Sequence, residues 1–143
     1  MADIFLVGTD GSEGSKRAVH FAVEQAKKTG ASVLLANVIE WSRYEFMMSP
    51  ELEQRHALRE REMTRAKTEI LEPAQKEAGS EVPVDTVMHH GHAAQGLADL
   101  AKEHEVSQIF IGRRGHSNLG ELLHGSVAGN LSKVSPVPVT IVP

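Results

Sequence analysis

Five short apolar runs, separated by longer stretches of helical periodicity, constrain this chain more than any other feature. They are Ile4-Phe5-Leu6-Val7, Val33 to Ile39, Val82 to Met88, Gln108 to Ile111 and Val137 to Val142. The first is continuously apolar, as in a strand buried on both faces. The third alternates and carries Pro83, which points to the edge of a sheet. Between the runs, Ala18, Phe21, Ala22, Val23 and Ala26 recur at helical spacing, with Ser12 or Ser15 as cap and Gly30 as stop. Ser49-Pro50-Glu51 opens a second helix with inner stripe Leu52, Met63, Ala66, Ile70 and Ala74, and Pro73 should kink or end it. Ala94, Leu97, Leu100 and Ala101 mark a third helix over 93–104. Val127, Ala128, Leu131 and Val134 mark a fourth, terminated by Pro136. Five strands alternating with four helices predict an α/β fold, with a parallel sheet covered by helices on both faces.

Composition bounds the rest. A chain of 143 residues suits one domain with a sizeable core, so residues 1–143 are expected to form a single three-layer unit. A net charge of −4 supplies no electrostatic attraction for nucleic acid. With no cysteine, disulfides and thiolate chemistry are excluded. Met1-Ala2-Asp3-Ile4 shows no signal-peptide pattern, and no apolar run reaches the roughly 18 residues of a membrane span. A cytoplasmic protein is the resulting expectation.

The chemistry concentrates in residues 109–127. Ile109-Phe110-Ile111 is cut off by Gly112, Gly115 follows, and Gly125-Ser126 closes the stretch before a helical pattern, giving Gly-x2-Gly-x9-Gly-Ser. Glycines let backbone amides turn toward a ligand, and a loop of such amides before a helix N-terminus suits an anion, above all phosphate. A second glycine-rich turn, Gly8-Thr9-Asp10-Gly11-Ser12-Glu13-Gly14-Ser15, follows the first strand. It fits neither known phosphate loop. A Walker loop needs lysine directly after its last glycine, but Ser15 precedes Lys16; a dinucleotide fingerprint needs Gly-x-Gly-x2-Gly, but the glycines stand at 8, 11 and 14. Asp10 is left as a carboxylate beyond the first strand, either binding a ligand where open α/β sheets do so or bonding its own turn.

The Gly-x2-Gly-x9-Gly-Ser spacing, with Asn118-Leu119, Leu122-Leu123, Gly125-Ser126-Val127, Pro136-Val137-Pro138-Val139 and the upstream Asp10-Gly11-Ser12, resembles the ATP-binding branch of the universal stress protein family. The resemblance covers nearly the whole chain and is weakest between about residues 41 and 80. Together with right-handed crossovers it implies strand order 3-2-1-4-5. It also implies that Gly112, Gly115, Gly125 and Ser126 surround the phosphates of ATP and that Val127 adds an amide. Asp10 and Val38 would hold the nucleoside, with Asp10 on its polar edge and the Val38 backbone meeting the adenine edge, and Thr9 would also belong to the ATP site. Mg²⁺ or Mn²⁺ would accompany the phosphates, with no protein ligand identified, and a homodimer would form through the C-terminal strand. Two departures stand out. Arg113-Arg114 fills the places between the close glycines, where Arg113 can pair with phosphate or block the groove. Gly8 stands where the family often has proline.

Other features compete for a role. Glu40 is either a ribose partner or a cap; Trp41, Tyr44, Phe46, Met47 and Met48 either cover the pocket or pad the core edge. Arg59-Glu60-Arg61-Glu62 reads as a solvated helix face. His89-His90-Gly91-His92 reads as loop histidines, with a metal site as the alternative. For catalysis only His116, His124 and Asp10 are candidates, and none has an evident orienting partner. Three classes of function remain: a nucleotide sensor or switch with little or no turnover, a slow ATPase or phosphotransfer enzyme, and an interaction module that binds no nucleotide.

Overall fold

The computed structural model describes residues 3–40, 52–113 and 127–143. Its strands are β1 (Ile4–Gly8), β2 (Ser32–Ile39), β3 (Val84–His90), β4 (Gln108–Gly112) and β5 (Val139–Val142). Among the described residues there are four helices. Helix α1 is Glu13–Thr29, α3 is Ala93–Glu103 and α4 is Val127–Val134. Helix α2 spans 52–78 as Leu52–Arg65, a π-helical stretch Ala66–Leu71 and Glu72–Ala78. All strand pairs are parallel, in the order β3-β2-β1-β4-β5.

The period-2 side-chain alternation of the inner strands builds two cores. Phe5, Val7, Val33, Leu35 and Phe110 pack with α1 and the end of α2 on one face. Leu6, Leu34, Ala36, Ile109 and Ile111 pack with α3 and α4 on the other. Crossovers running outward from β1 through β2 to β3 place their helices on one face, and those running back through β4 to β5 use the other, as a uniform crossover hand requires. The direction reverses between β1 and β4, so their carboxyl ends diverge into a crevice.

Several expectations change at the level of single residues. Phe21 is 40% exposed, while Val19, absent from the expected stripe, is buried. Met63 and Val134 are exposed as well. In α2 the π turn moves the inward position from Ile70 to Leu71, which is 2% exposed. Strand β3 starts later than expected because Pro83 has no N–H for the ladder and contributes only its carbonyl, to Val33 N. It also runs on through His89 and His90, which pair with Val38 and Ile39 and so are strand residues, not loop histidines. Strand β5 is shorter than expected. The Ser135 hydroxyl bonds both the carbonyl and the amide of Val137, holding that residue in a turn.

Candidate functional site

The carboxyl end of β1 is built around the Ser15 hydroxyl. It accepts from Thr9 Oγ1 at 3.2 Å and from Asp10 N at 3.4 Å, and donates to Ser12 O at 2.9 Å. Ser12 caps α1 by accepting from Ser15 N at 3.2 Å. The Ser12 amide and hydroxyl both donate to Asp10 Oδ1. Gly11 takes φ +83°, the left-handed conformation that closes this turn. Asp10 therefore does bond its own turn, and the carboxylate is held in place by that bonding. Thr9 is buried and fixed on its other side, its amide to Ala36 O at 2.8 Å and its carbonyl to Asn37 Nδ2 at 2.8 Å. Asn37 was not singled out from the sequence. Its signal was an amide side chain inside the otherwise apolar Val33–Ile39 run, where burial demands a hydrogen-bond partner.

Strand β4 brings Gly112 to the same place. The register Val7↔Phe110, continued by two residues, sets Thr9 level with Gly112. A Cβ on Gly112 would stand 2.6 Å from both the carbonyl carbon and oxygen of Gly14, so the glycine is needed for the end of β4 to lie against the first turn of α1. The Arg113 amide donates to Val142 O at 2.8 Å, which leaves the guanidinium as that residue's means of meeting an anion. Val127 begins α4 and packs half-buried on the second core. Gly115, Gly125 and Ser126 lie outside the described residues, as do Arg114, His116, His124 and the 41–51 stretch with its aromatic residues.

Val38, one strand further from the crevice, packs its side chain on α3. A Cβ on Gly96 would come within 2.9 Å of Val38 Cγ1 and 3.0 Å of His89 Cδ2. At Gly8, a Cβ would come 3.0 Å from Leu97 Cδ1 and 3.2 Å from Ile111 Cγ2, so a proline here would have to displace its neighbours. Glu40 does act as a cap, though of α3 and not of the loop that follows it: its Oε1 accepts from Ala93 N at 2.9 Å at the start of that helix. The histidines do not converge. His89 faces α3, His92 is the residue before α3, and His90 lines a groove with His56, Arg59 and Met63 of α2. Burial first, then the charges of Arg59 and His89, lowers the His90 pKa from its ordinary 6.5. Among the described residues no three His, Asp or Glu side chains gather to hold a metal ion, and no helix is long and apolar enough to cross a membrane.

A separate cleft runs between α1 and α2, walled by Thr9, Gly11, Lys16, Ile70, Pro73 and Glu77 among others. It shares only Thr9 with the residues expected from the motif. It therefore flanks the β1–β4 crevice on the α1 and α2 face and is not the crevice itself.

The universal stress protein family model matches residues 1–143. Universal stress protein YxiE of Bacillus subtilis is 34% identical over a 151-residue alignment that spans 99% of this chain and 99% of that protein. Among solved structures, hypothetical protein MJ0577 superposes with a TM-score of 0.83 at 27% identity, covering 99% of this chain and 96% of that one. A universal stress protein solved in complex with cAMP superposes with a TM-score of 0.69 at 24% identity, covering 99% and 96%, a likeness of fold.

Proposed function

The chain belongs to the universal stress protein family, and from that premise we propose that it binds ATP at the carboxyl ends of β1 and β4, as a nucleotide sensor or switch with little or no turnover. Residues 1–143 act as one such domain, working in the cytoplasm. The observation that carries the reading is the packing of Gly112, at the end of β4, on Gly14, just after the β1–α1 turn in which Ser12 holds Asp10, where the strand order reverses. Thr9, Asp10 and the Val38 backbone take the nucleoside. Gly112, Gly115, Gly125, Ser126 and Val127 take the phosphates, with Arg113 beside them and Mg²⁺ or Mn²⁺ bound to the phosphate oxygens. That a protein of this fold was solved in complex with an adenine nucleotide supports the ligand class.

Calorimetric titration with MgATP tests this directly. Gly115→Val and Gly125→Val should each abolish binding without unfolding the chain, because a branched side chain fills the phosphate space. Asp10→Asn, which keeps an acceptor for Ser12, should weaken preference for adenine over other bases more than it weakens binding of triphosphate. Unchanged affinity in both valine variants would place the phosphates elsewhere. Wild-type protein that binds no nucleotide would leave the interaction-module reading. Turnover should fall far below the roughly 1 per second of ordinary enzymes, since rapid hydrolysis also needs an oriented water and compensation of transition-state charge. A fast rate that collapses in His116→Ala or His124→Ala at unchanged affinity would sink the sensor reading in favour of the enzyme.

A further inference from the structure

The π-helical turn Ala66–Leu71 is a local departure that helix propensity alone does not require. Its buried residues, Ala66 and Leu71, are five apart, and the Glu72 amide reaches back five residues to Lys67 O. Ala74 then continues the buried stripe three residues later. In an uninterrupted α-helix at about 100° per residue, Leu71 would sit about 140° around from Ala66 and face away from the sheet. Removing one residue between them restores spacings of four and three, which bring Ala66, Leu71 and Ala74 within a sector of about 60°. The stripe is thus that of an ordinary amphipathic helix with one residue too many.

The extra residue falls beside the candidate site. Glu69 and Ile70 of the wide turn, with Pro73 just after it, wall the cleft whose other side is Thr9, Gly11 and Lys16. Pro73 fits the same arrangement: it has no N–H to donate, and its ring collides with the carbonyl four residues back in a regular α-helix. We propose that Ala66–Leu71 is a one-residue insertion that shapes the cleft against the β1–α1 turn and thereby positions Thr9 for the nucleoside, at a cost to the stability of α2. The positioning role rests on the ATP reading; the insertion itself does not.

The test removes exposed Lys67 in a background where the proline is also relieved, Pro73→Ala, and compares that deletion variant with Pro73→Ala alone and with the wild type. Thermal unfolding should show the deletion variant melting at or above the midpoint of Pro73→Ala. A matching deletion of exposed His20 from the regular helix α1 should unfold the chain, because it rotates one half of that helix's buried stripe off the sheet. If deleting Lys67 is as damaging as deleting His20, the turn is not an insertion. In titration, the deletion variant should bind MgATP about tenfold or more weakly than Pro73→Ala, a loss of about 1.4 kcal/mol or more. Equal affinity would overturn the positioning role while leaving the insertion standing. Wild-type protein without ATP affinity would overturn that role together with the proposed function, and the melting comparison would still decide the insertion.

Discussion

Gly112 has two reasons to be glycine, and they separate experimentally. The motif asks for a backbone open to phosphate; the packing asks for an absent Cβ, since the atoms it would strike at 2.6 Å belong to the Gly14 main chain and cannot swing aside. Gly112→Ala should therefore destabilise the fold itself, by about 1–3 kcal/mol or more, the cost of overpacking a closed site. Chemical denaturation should show a lower midpoint at unchanged slope. A variant as stable as the wild type would mean that β4 and α1 can part at little cost. The contrast with Gly115 and Gly125, whose valine variants should lose ligand and keep the fold, distinguishes a packing glycine from a binding one within one motif.

At the scale of elements, the contact between β3 and the first part of α2 carries a pH dependence. His90 at the end of β3 has its pKa held below 6.5 by burial, by Arg59 of α2 and by its neighbour His89. The unfolded chain therefore takes up a proton at this imidazole at a higher pH than the folded chain does. Stability follows the difference in bound protons, so the His90 contribution is intact above about pH 6.5 and is lost as the pH falls through and below that value. Melting temperatures of wild type and His90→Gln, measured from pH 7.5 to 5, should converge or cross on the acid side because the variant loses this sensitivity. Parallel curves across the range would show that His90 titrates alike in both states. The salt bridges on these helices offer no comparable lever: Lys27 with Glu24 and Glu81, and Arg65 with Glu69, are surface pairs.

At the scale of the whole molecule, the sheet ends in two edges, β3 and β5. On β5, Val142 is buried and Val139 packs on the α3–α4 core, whereas Ile141 is 45% exposed. An exposed β-branched residue on an edge strand invites pairing with another strand. If the homodimer implied by the family resemblance forms through β5, Ile141 is the informative position, since Val139→Lys would place a charge against the α3–α4 core. Wild-type protein should sediment as a dimer and Ile141→Lys as a folded monomer. A wild type that stays monomeric at high concentration would rule the dimer out. Arg17 Nε donating to Pro143 O at 3.2 Å ties the end of β5 to α1, so loss of the dimer need not loosen the strand.

The sequence by itself determined the element order and the sidedness of the sheet. Continuous apolar runs such as Ile4–Val7, short and closed by a glycine, suit strands buried on both faces, and strands alternating with helices leave a parallel sheet as the economical solution. A serine cap at Ser12 or Ser15, the Gly30 stop and the coincidence of Asp10 and Gly112 at the ends of two strands were legible in the sequence; that Ser12 is the cap, with the Ser15 hydroxyl turned to Thr9 and Asp10, was decided by the structure. Tertiary structure decided what depends on residues far apart in the chain. That Asn37 holds the Thr9 carbonyl, that Glu40 caps a helix 53 residues away, and that Gly112 must make room for Gly14 are consequences of packing between elements. The inward turn of Leu71 in place of Ile70 belongs here too. A helical pattern read at 100° per residue assumes a regular helix, and only the fit of α2 to the sheet, with Pro73 inside it, showed where the chain winds more widely to keep Ala66, Leu71 and Ala74 buried together.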